Sequence, residues 1–384
     1  MLRFLTAGES HGPGLVTTVE GLPAGLEVSS DGLGDELARR RLGFGRGPRM
    51  RLEKDELEIL GGVRFGETLG GPVAVVIRNT EWPKWEKEMS AEPGTSSKPL
   101  TTPRPGHADL AGKLKYDTRD ARDVLERGSA RETAARTVAG YLAKQLLATV
   151  GGSVISHVVA IGEAQAPDEP LPGPEDLERI DASQVRVLDP QAEAAMIDEI
   201  ERAKAERDTV GGVVEVIAHG IPPGIGSHVH WDRRIDGLLG GALMSIHAMK
   251  AFEVGDGLET ASRRGSEAHD EIEYSEESGF GRLSGRAGGI EGGMTTGQPI
   301  RVRAAMKPLS TLMRPLKTVD VTSKSEDVAF RERSDVCAVP AAGVVAEQMV
   351  AIVLAREMQR VFGADTVGDF VERVKSYRRR LAEF

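Results

Sequence analysis

The chain has 384 residues, and its 49 Lys and Arg against 59 Asp and Glu give a formal net charge of −10. Hydrophobic residues make up 40% and charged residues 28%, which excludes a disordered chain and suits one large domain or two. The single cysteine, Cys337, excludes an internal disulfide and a cysteine-based zinc site. The N-terminal apolar run is too short for a signal peptide. Since no uninterrupted apolar stretch approaches ~18 residues, we expect a cytoplasmic protein without a membrane span.

Apolar spacing and turn residues predict the elements of the first half of the chain. In chain order they are a strand over Leu2–Ala7, a strand over Leu15–Glu20, a helix from a Ser29 or Ser30 cap to Arg41, a hairpin of Leu57–Val63 and Val73–Arg78 around Gly66–Pro72, a long loop over Thr80–Asp109, and a helix over Arg131–Val150. A loop of that length inside a folded protein is either functional or mobile.

The second half mixes isolated helices with strands. Its predicted elements are a strand over Ser153–Ile161, a link over Ala164–Pro174, an exposed helix over Ala192–Arg207, a strand over Val213–Ala218, a helix over Asp232–Lys250, loops and short strands over Gly255–Gly297, a strand over Ile300–Met306, and helices over Ala341–Phe362 and Thr366–Ala382. Because no regular βαβ alternation occurs, we predict an α+β fold with antiparallel sheets. Neither a Rossmann glycine fingerprint after a strand nor a P-loop is present.

Arginine is concentrated in one short run. The segment ARRRLGFGRGPRMRLE holds Arg39, Arg40, Arg41, Arg46, Arg49 and Arg51. Arginine at a helix end followed by a glycine-rich loop favours a cradle for phosphate or carboxylate groups. A basic surface patch is the alternative interpretation. A nucleic-acid-binding surface is a further one, which the acidic net charge and the 4% aromatic content disfavour.

Two histidines lie in glycine-flanked loops, where a ligand can approach the side chain. His11 stands in GESHGPG and His107 in RPGHADLAGK. Histidine changes charge near neutral pH, so this pair suggests general acid catalysis. His228 and His230 would share one face of a strand, but no third ligand is apparent nearby, and we predict no metal site.

Further loops offer groups that bind anions. Ser129 and Glu132 have the spacing of a capping box at the start of a helix, where backbone N–H groups also favour an anion. The others are Lys307–Thr311 after a strand, the glycine-rich Gly288–Gly297, and Arg333 followed by Asp335. Together they predict a site for a substrate with several negative charges.

Taken in order, these segments resemble the chorismate synthase family. The matching motifs are GESHGPGL, RRRLGFGR, TPRPGHADLAGKLKY, RGSARETAAR, GGIEGGMTTGQPI, KPLSTL and ERSDVCAVPAAGVVAE, and they run from about residue 6 to residue 347. The resemblance implies a lyase that converts 5-enolpyruvylshikimate 3-phosphate to chorismate and phosphate by anti 1,4-elimination, the last common step of the shikimate pathway. It also implies a single domain over residues 1–384, a β-α-β sandwich with helices between antiparallel sheets, and a homotetramer.

The same resemblance implies a cofactor and a set of site residues. The family needs reduced FMN although the reaction has no net redox change; NADPH would reduce the flavin indirectly, through an external flavin reductase, and FAD and NADP are associated with the family. No membrane or nucleic-acid partner is implied. The implied catalytic residues are His11, His107 and Asp335. The implied FMN contacts are Arg127, Gly128, Ser129, His247, Ala248, Gly292, Lys307, Pro308, Leu309, Ser310, Thr311 and Arg333. The implied contacts to substrate or NADPH are Arg40, Arg46, Arg49, Arg104 and Arg131.

Three positions depart from the family pattern. Gly128 replaces the usual serine after Arg127, His247 stands where asparagine or glutamine is more common, and the stretch GSHVHWDRR differs from the usual sequence. A flavin oxidoreductase with net hydride transfer remains the alternative, since it would also bind FMN.

Overall fold

The computed structural model describes residues 1–46, 55–277, 279–330, 332 and 334–384. The strands of this part of the chain are β1 Arg3–Ala7, β2 Gly14–Glu20, β3 Glu56–Gly61, β4 Val63–Arg64, β5 Glu67–Thr68, β6 Val73–Arg78, β7 Ser153–Ile161, β8 Ala164–Gln165, β9 Gly212–His219, β10 Met249–Val254, β11 Ile272–Ser275, β12 Gly279–Arg282, β13 Ile290–Glu291, β14 Met294–Thr295, β15 Ile300–Met306, β16 Lys317–Val319 and β17 Glu326–Val328. Its α-helices are α1 Ser30–Arg41, α2 Trp82–Trp85, α3 Asp109–Tyr116, α4 Arg122–Leu125, α5 Thr133–Ala148, α6 Leu177–Ala182, α7 Pro190–Ala205, α8 Ile235–Met244, α9 Gly257–Ser262, α10 Gly265–Ala268, α11 Val339–Phe362 and α12 Val367–Ala382.

Two antiparallel sheets organise the strands. The first has the order β1-β2-β6-β3 and the second the order β10-β15-β9-β7-β8. In the first sheet Ala7 pairs with Val16 and Leu15 pairs with Ile77, so the β1–β2 connection with His11 lies at one end of that sheet. The predicted α+β class with antiparallel sheets is confirmed.

Helices α5 and α11 contact each other, and each packs mainly against one of the two sheets. α5 packs against β2 of the first sheet, where the Thr17 hydroxyl donates to the Ala135 carbonyl at 2.8 Å. α11 packs against β7 and β9 of the second sheet. Between the helices, a Cβ added to Gly140 would come within 2.3 Å of the Gln348 side chain, so this close approach requires glycine.

Helix α11 bears on the expectation that no stretch of the chain is long and apolar enough to span a membrane. It is 24 residues long and, within the described part of the chain, the one helix apolar enough to span a bilayer. Isolated polar residues such as Glu347 and Gln348 interrupt its apolar sequence, but its mean hydropathy stays in the range of a membrane-spanning helix. The helix is buried inside the protein, as expected for an apolar helix that packs on several neighbours.

The remaining corrections concern helices. The helix predicted over Asp232–Lys250 is instead a 3₁₀ turn, helix α8, and strand β10, which begins at Met249. Ala248 has a left-handed φ of +67°, which a continuing helix would not accommodate. The helix predicted as exposed is α7, and it buries one face with Met196 and Ile200. The loop predicted over Thr80–Asp109 is confirmed, apart from the short helix α2.

Candidate active site

A cavity of about 410 Å³ brings together most of the predicted site residues, and this volume suits a small-molecule ligand. The three predicted catalytic residues His11, His107 and Asp335 line it. So do the predicted ligand contacts Arg40, Arg46, Arg104, Gly128, Ser129, Arg131, His247, Ala248, Lys307, Leu309, Ser310 and Thr311.

Other predicted residues lie elsewhere. Arg127 donates to the Thr6 carbonyl at 2.9 Å and the Gly8 carbonyl at 3.1 Å, and it lines a neighbouring open cavity that shares His247. Gly292 is in the β13–β14 turn with φ +59°, and Pro308 is exposed; neither lines the 410 Å³ cavity. Arg49 and Arg333 lie outside the described residues.

His11 is held by a carboxylate and by an aromatic ring. Its Nδ1 lies 3.0 Å from both carboxylate oxygens of Glu126, and its backbone N–H donates to Glu126 Oε2 at 2.9 Å. The imidazole stacks on Trp85 with ring centroids 4.1 Å apart. Burial raises the pKa of Glu126, but the hydrogen bonds from His11 and the nearby Arg122 charge outweigh burial, so the net pKa is lowered. Glu126 is therefore ionised and accepts the Nδ1 proton of His11.

His107 is held by a carboxylate two residues along the chain. Its Nδ1 contacts Asp109 Oδ1, and Arg104 donates to Asp109 Oδ2 at 2.9 Å. Burial alone would raise the pKa of Asp109, yet the hydrogen bonds from His107 and Arg104 hold it well below its usual range. Because an ionised carboxylate only accepts, Nδ1 carries the proton, and within the described residues no side chain bonds Nε2 of His107.

Arginines from distant segments converge on the cavity. Arg40 is buried, with Nη1 3.3 Å from the Thr133 hydroxyl, and Arg46 pairs with Asp335 at 3.1 Å. Arg131 donates to Asp55 at 2.6 Å. Buried arginines paired in this way are not part of a basic surface patch, so the anion cradle is the better interpretation for Arg40 and Arg46.

A further part of the cavity wall comes from the segment that follows β15. Lys307 donates to the Gly106 carbonyl at 2.8 Å, while burial and the Lys250 charge lower its pKa. The Thr311 hydroxyl accepts from Arg104 at 2.8 Å. The predicted capping box does not form: the Ser129 hydroxyl accepts from Arg131 N at 3.3 Å, but Glu132 binds Thr6 and Arg136 instead of closing the box.

His247 has an unmatched polar atom. Its Nδ1 is buried, and within the described ranges no hydrogen-bond partner meets it. Burial lowers the pKa of this imidazole, and the Arg136, His107 and Arg127 charges lower it further, while Glu132 opposes them. His247 is therefore neutral at pH 7 and has one ring nitrogen available for a ligand.

Sequence reasoning missed the residues that hold the histidines. Glu126 is 115 positions from His11, and no local pattern links them. Asp109 stands in the same motif as His107, and its spacing of two was a usable signal. Asn79 was also missed; its amide donates to the Glu9 and Gly12 carbonyls at 3.1 and 2.7 Å and so fixes the His11 loop.

Potential metal ligands do not cluster. Among the residues that the structure describes, no group of three His, Cys, Asp or Glu side chains is placed to hold a metal ion. His228 and His230 lie in an exposed bend before the 3₁₀ turn, not on the strand that the sequence suggested.

The fold and the cavity define an α+β protein with histidine–carboxylate pairs and several cations in one cavity of small-molecule size. The chorismate synthase family model matches residues 2–359. The chain is 59% identical to the chorismate synthase of Acidothermus cellulolyticus and 56% identical to that of Thermobifida fusca, each over 98% of both chains. A chorismate synthase crystal structure superimposes with a TM-score of 0.80 at 40% identity, covering 100% of this chain and 99% of that one. The chain belongs to the chorismate synthase family, which catalyses the final step of the shikimate pathway.

Proposed function

We propose that this protein converts 5-enolpyruvylshikimate 3-phosphate to chorismate and phosphate by anti 1,4-elimination. The observation that carries the proposal is the composition of the cavity: Arg40, Arg46, Arg104, Arg131 and Lys307 line it together with both loop histidines. The substrate has one phosphate and two carboxylates, which arginine binds through paired N–H groups. The same cavity thus offers both positive charge and proton donors to one ligand with three anionic groups.

FMN fits the same cavity on the chemistry of its walls. Lys307, Ser129, Ser310 and Thr311 offer donors to the FMN phosphate, and the buried Nδ1 of His247 has no described partner of its own. Gly128 stands where the family has a serine hydroxyl, and its backbone N–H already donates to the Val124 carbonyl at 2.8 Å, so the donors at this end come from the neighbouring side chains. When bound, reduced FMN supplies an electron that is returned, so the elimination has no net redox change. NADPH and an external reductase would regenerate reduced flavin.

The chain's own residues handle the protons. His11 and His107 act as the acids that serve the departing phosphate and the flavin, and Asp335 assists proton removal. The Nδ1 proton of each histidine is held by a buried carboxylate, which fixes the tautomer and leaves Nε2 as the nitrogen that can face the ligand. Arg46 lies 3.1 Å from Asp335 and so places a cation beside the carboxylate that is proposed to accept the proton.

Larger-scale features belong to the same proposal. The sandwich arrangement is supported by the contacts of α5 with the first sheet and of α11 with the second. A single domain is supported by one hydrophobic cluster that includes residues from Leu2 to Val374. The homotetramer and the cytoplasmic location rest on the family resemblance. If the protein is a homotetramer, light scattering should give four times the mass of one chain.

An anaerobic assay with chemically reduced FMN and 5-enolpyruvylshikimate 3-phosphate tests the function. Many chorismate molecules should form per flavin, with the flavin still reduced at the end, and oxidised FMN should support none. Oxidation of one flavin for each product would instead identify an oxidoreductase with net hydride transfer. If a freshly reduced, bound flavin yields no chorismate, this result would contradict the lyase assignment.

A further inference from the structure

We propose that Trp85 is a positioning residue for His11, because its indole fixes the plane of the imidazole that faces the cavity. Trp85 lies in helix α2, inside the long segment between β6 and α3. The kinetic part of the test rests on the proposed function, whereas the spectroscopic part does not.

The indole constrains the plane of the His11 ring in addition to its hydrogen bonds. Nδ1 lies 3.0 Å from both oxygens of Glu126, which fixes the position of that ring atom. The Trp85 ring stacks on the imidazole with centroids 4.1 Å apart and an interplanar angle of 27°. Stacking at this distance is a favourable aromatic arrangement, and it defines the orientation of the plane.

The two holding groups are themselves connected. Arg122 donates to Glu126 at 3.0 Å and places its guanidinium 4.9 Å from the centre of the Trp85 ring. His11, Trp85, Arg122 and Glu126 therefore form a closed cycle in which each group contacts two others. A displacement of the indole would act on the carboxylate as well as on the imidazole.

Asn79 fastens the His11 loop and helix α2 to the same point. Its side-chain amide donates to the carbonyls of Glu9 and Gly12, on either side of His11. Its own carbonyl accepts from the backbone N–H of Trp82 at 3.0 Å, where α2 begins. The distance between Trp85 and His11 is thus set by a short path through the backbone, not by chance proximity of two flexible loops.

Core packing does not account for the indole. Trp85 is only half-buried and is not part of the hydrophobic core cluster. Its described ring contacts are with His11 and Arg122. Trp231, by comparison, is 87% exposed and provides a control tryptophan far from such contacts.

The first test detects the stack without turnover. In protein with ¹³C-labelled histidine, the His11 ring resonances, assigned with His11→Gln, should be displaced by the indole ring current. Trp85→Ala should abolish the displacement, Trp85→Phe should keep most of it, and Trp231→Ala should leave it unchanged. An unchanged His11 resonance in Trp85→Ala would overturn the proposal.

The second test uses steady-state kinetics in the reduced-FMN assay. Trp85→Ala should lower kcat by about 10- to 100-fold with KM unchanged, because small displacements of a catalytic group cost factors of this size. Trp85→Phe should restore most of kcat, and Trp231→Ala should match wild type. An unchanged kcat, or a loss that Phe does not restore in a folded variant, would contradict positioning.

The two tests separate the possible failures. A wild-type protein that forms no chorismate refutes the proposed function, while the resonances still decide the role of Trp85. Circular dichroism verifies folding, and if Trp85→Ala does not fold, Trp85→Leu takes its place as the non-aromatic variant in both tests.

Discussion

Two charged regions of this protein meet at the adjacent residues Arg39 and Arg40 but differ in their balance of positive and negative charge. The Glu347 network comprises Glu36, Arg39, Lys144, Asp181, Arg186 and Glu347, with three cations and three carboxylates. The cavity wall, within the described residues, has the five cations Arg40, Arg46, Arg104, Arg131 and Lys307 against four carboxylates: Glu332 and Asp335 in the wall itself, and Asp109 and Asp55 as partners of Arg104 and Arg131. The first region neutralises itself, whereas the second has cationic charge left for a ligand.

At the centre of the Glu347 network, the positive and negative charges compensate each other. Glu347 is fully buried and accepts from Lys144 at 2.6 Å, from Arg39 at 2.7 Å and from Ser156 at 2.9 Å. Burial raises the pKa of Glu347, but the Lys144 and Arg39 charges outweigh burial and lower it. Burial lowers the pKa of Arg186 to about 10. Such a network is filled by the protein's own groups, so it has a structural role.

The boundary between the two regions falls within the arginine run. Arg39 points into the network, while the next residue, Arg40, lines the cavity. Successive helical residues face different directions, so one run serves both regions. Variants of cavity residues should therefore lose catalysis or binding, whereas variants of network residues should lose stability.

The largest effect is expected at His107, on the cavity side. His107→Ala should lower turnover by about 10²–10⁴-fold, the usual contribution of a positioned acid, while the fold and FMN binding persist. Turnover with reduced FMN measures this, and the exposed His230→Ala is the matched control. Full activity in His107→Ala, with flavin bound, would remove His107 from the mechanism.

The next effect is expected at Glu347, on the network side. Glu347→Gln should lower the free energy of unfolding by about 3–5 kcal/mol, because the buried Arg186 and the partly buried Arg39 and Lys144 lose their shared, fully buried carboxylate. Glu357→Gln on the same helix should cost less, about 1 kcal/mol or under, since its partner Arg360 is partly exposed. Urea unfolding measures both free energies. Equal losses in the two variants would show that the Glu347 network contributes no more stability than a partly exposed ion pair.

A smaller, pH-dependent effect is expected at Asp109. Its pKa is lowered in the folded protein, so its ionised form adds stability above the unfolded value of about 3.9 and loses it as pH falls towards the folded value. Asp109→Asn should therefore cost about 1.5–3 kcal/mol of unfolding free energy near pH 7, the range for hydrogen bonds to a charge. The difference from wild type should shrink below about pH 4. If the difference instead grows on acidification, ionised Asp109 does not stabilise the folded protein, and the prediction is wrong.

Local signals made much of the fold predictable. Ser153–Ile161 coincides with β7. Of the two caps that the sequence predicted for α1, Ser29 and Ser30, the structure shows Ser29, whose hydroxyl accepts from the first-turn N–H of Gly32. The stretch Asp232–Lys250 was mispredicted as one helix because the left-handed turn at Ala248 is set by tertiary contacts and not by residue type. Hairpin β16–β17 was missed because its strands are only three residues long and exposed.

The site was predictable only where its parts are local. Glycine-flanked His11 and His107 were visible in the sequence, and so was the arginine run. The pairing of His11 with Glu126 and the division of labour between Arg39 and Arg40 depend on contacts across more than a hundred residues. No spacing rule within one sequence encodes such contacts.

The most direct measurement compares Arg39→Met with Arg46→Met by urea unfolding and by calorimetric titration with 5-enolpyruvylshikimate 3-phosphate. Arg39→Met should lose about 3–5 kcal/mol of unfolding free energy and, once folded, bind as wild type does. Arg46→Met should lose about 1 kcal/mol or less of stability but about 1.5–3 kcal/mol of binding, and Arg46→Lys should recover only part of that binding. Equal losses of binding in the two Met variants, or none in Arg46→Met, would contradict the distinction between a self-neutralised network and an anion-binding cavity.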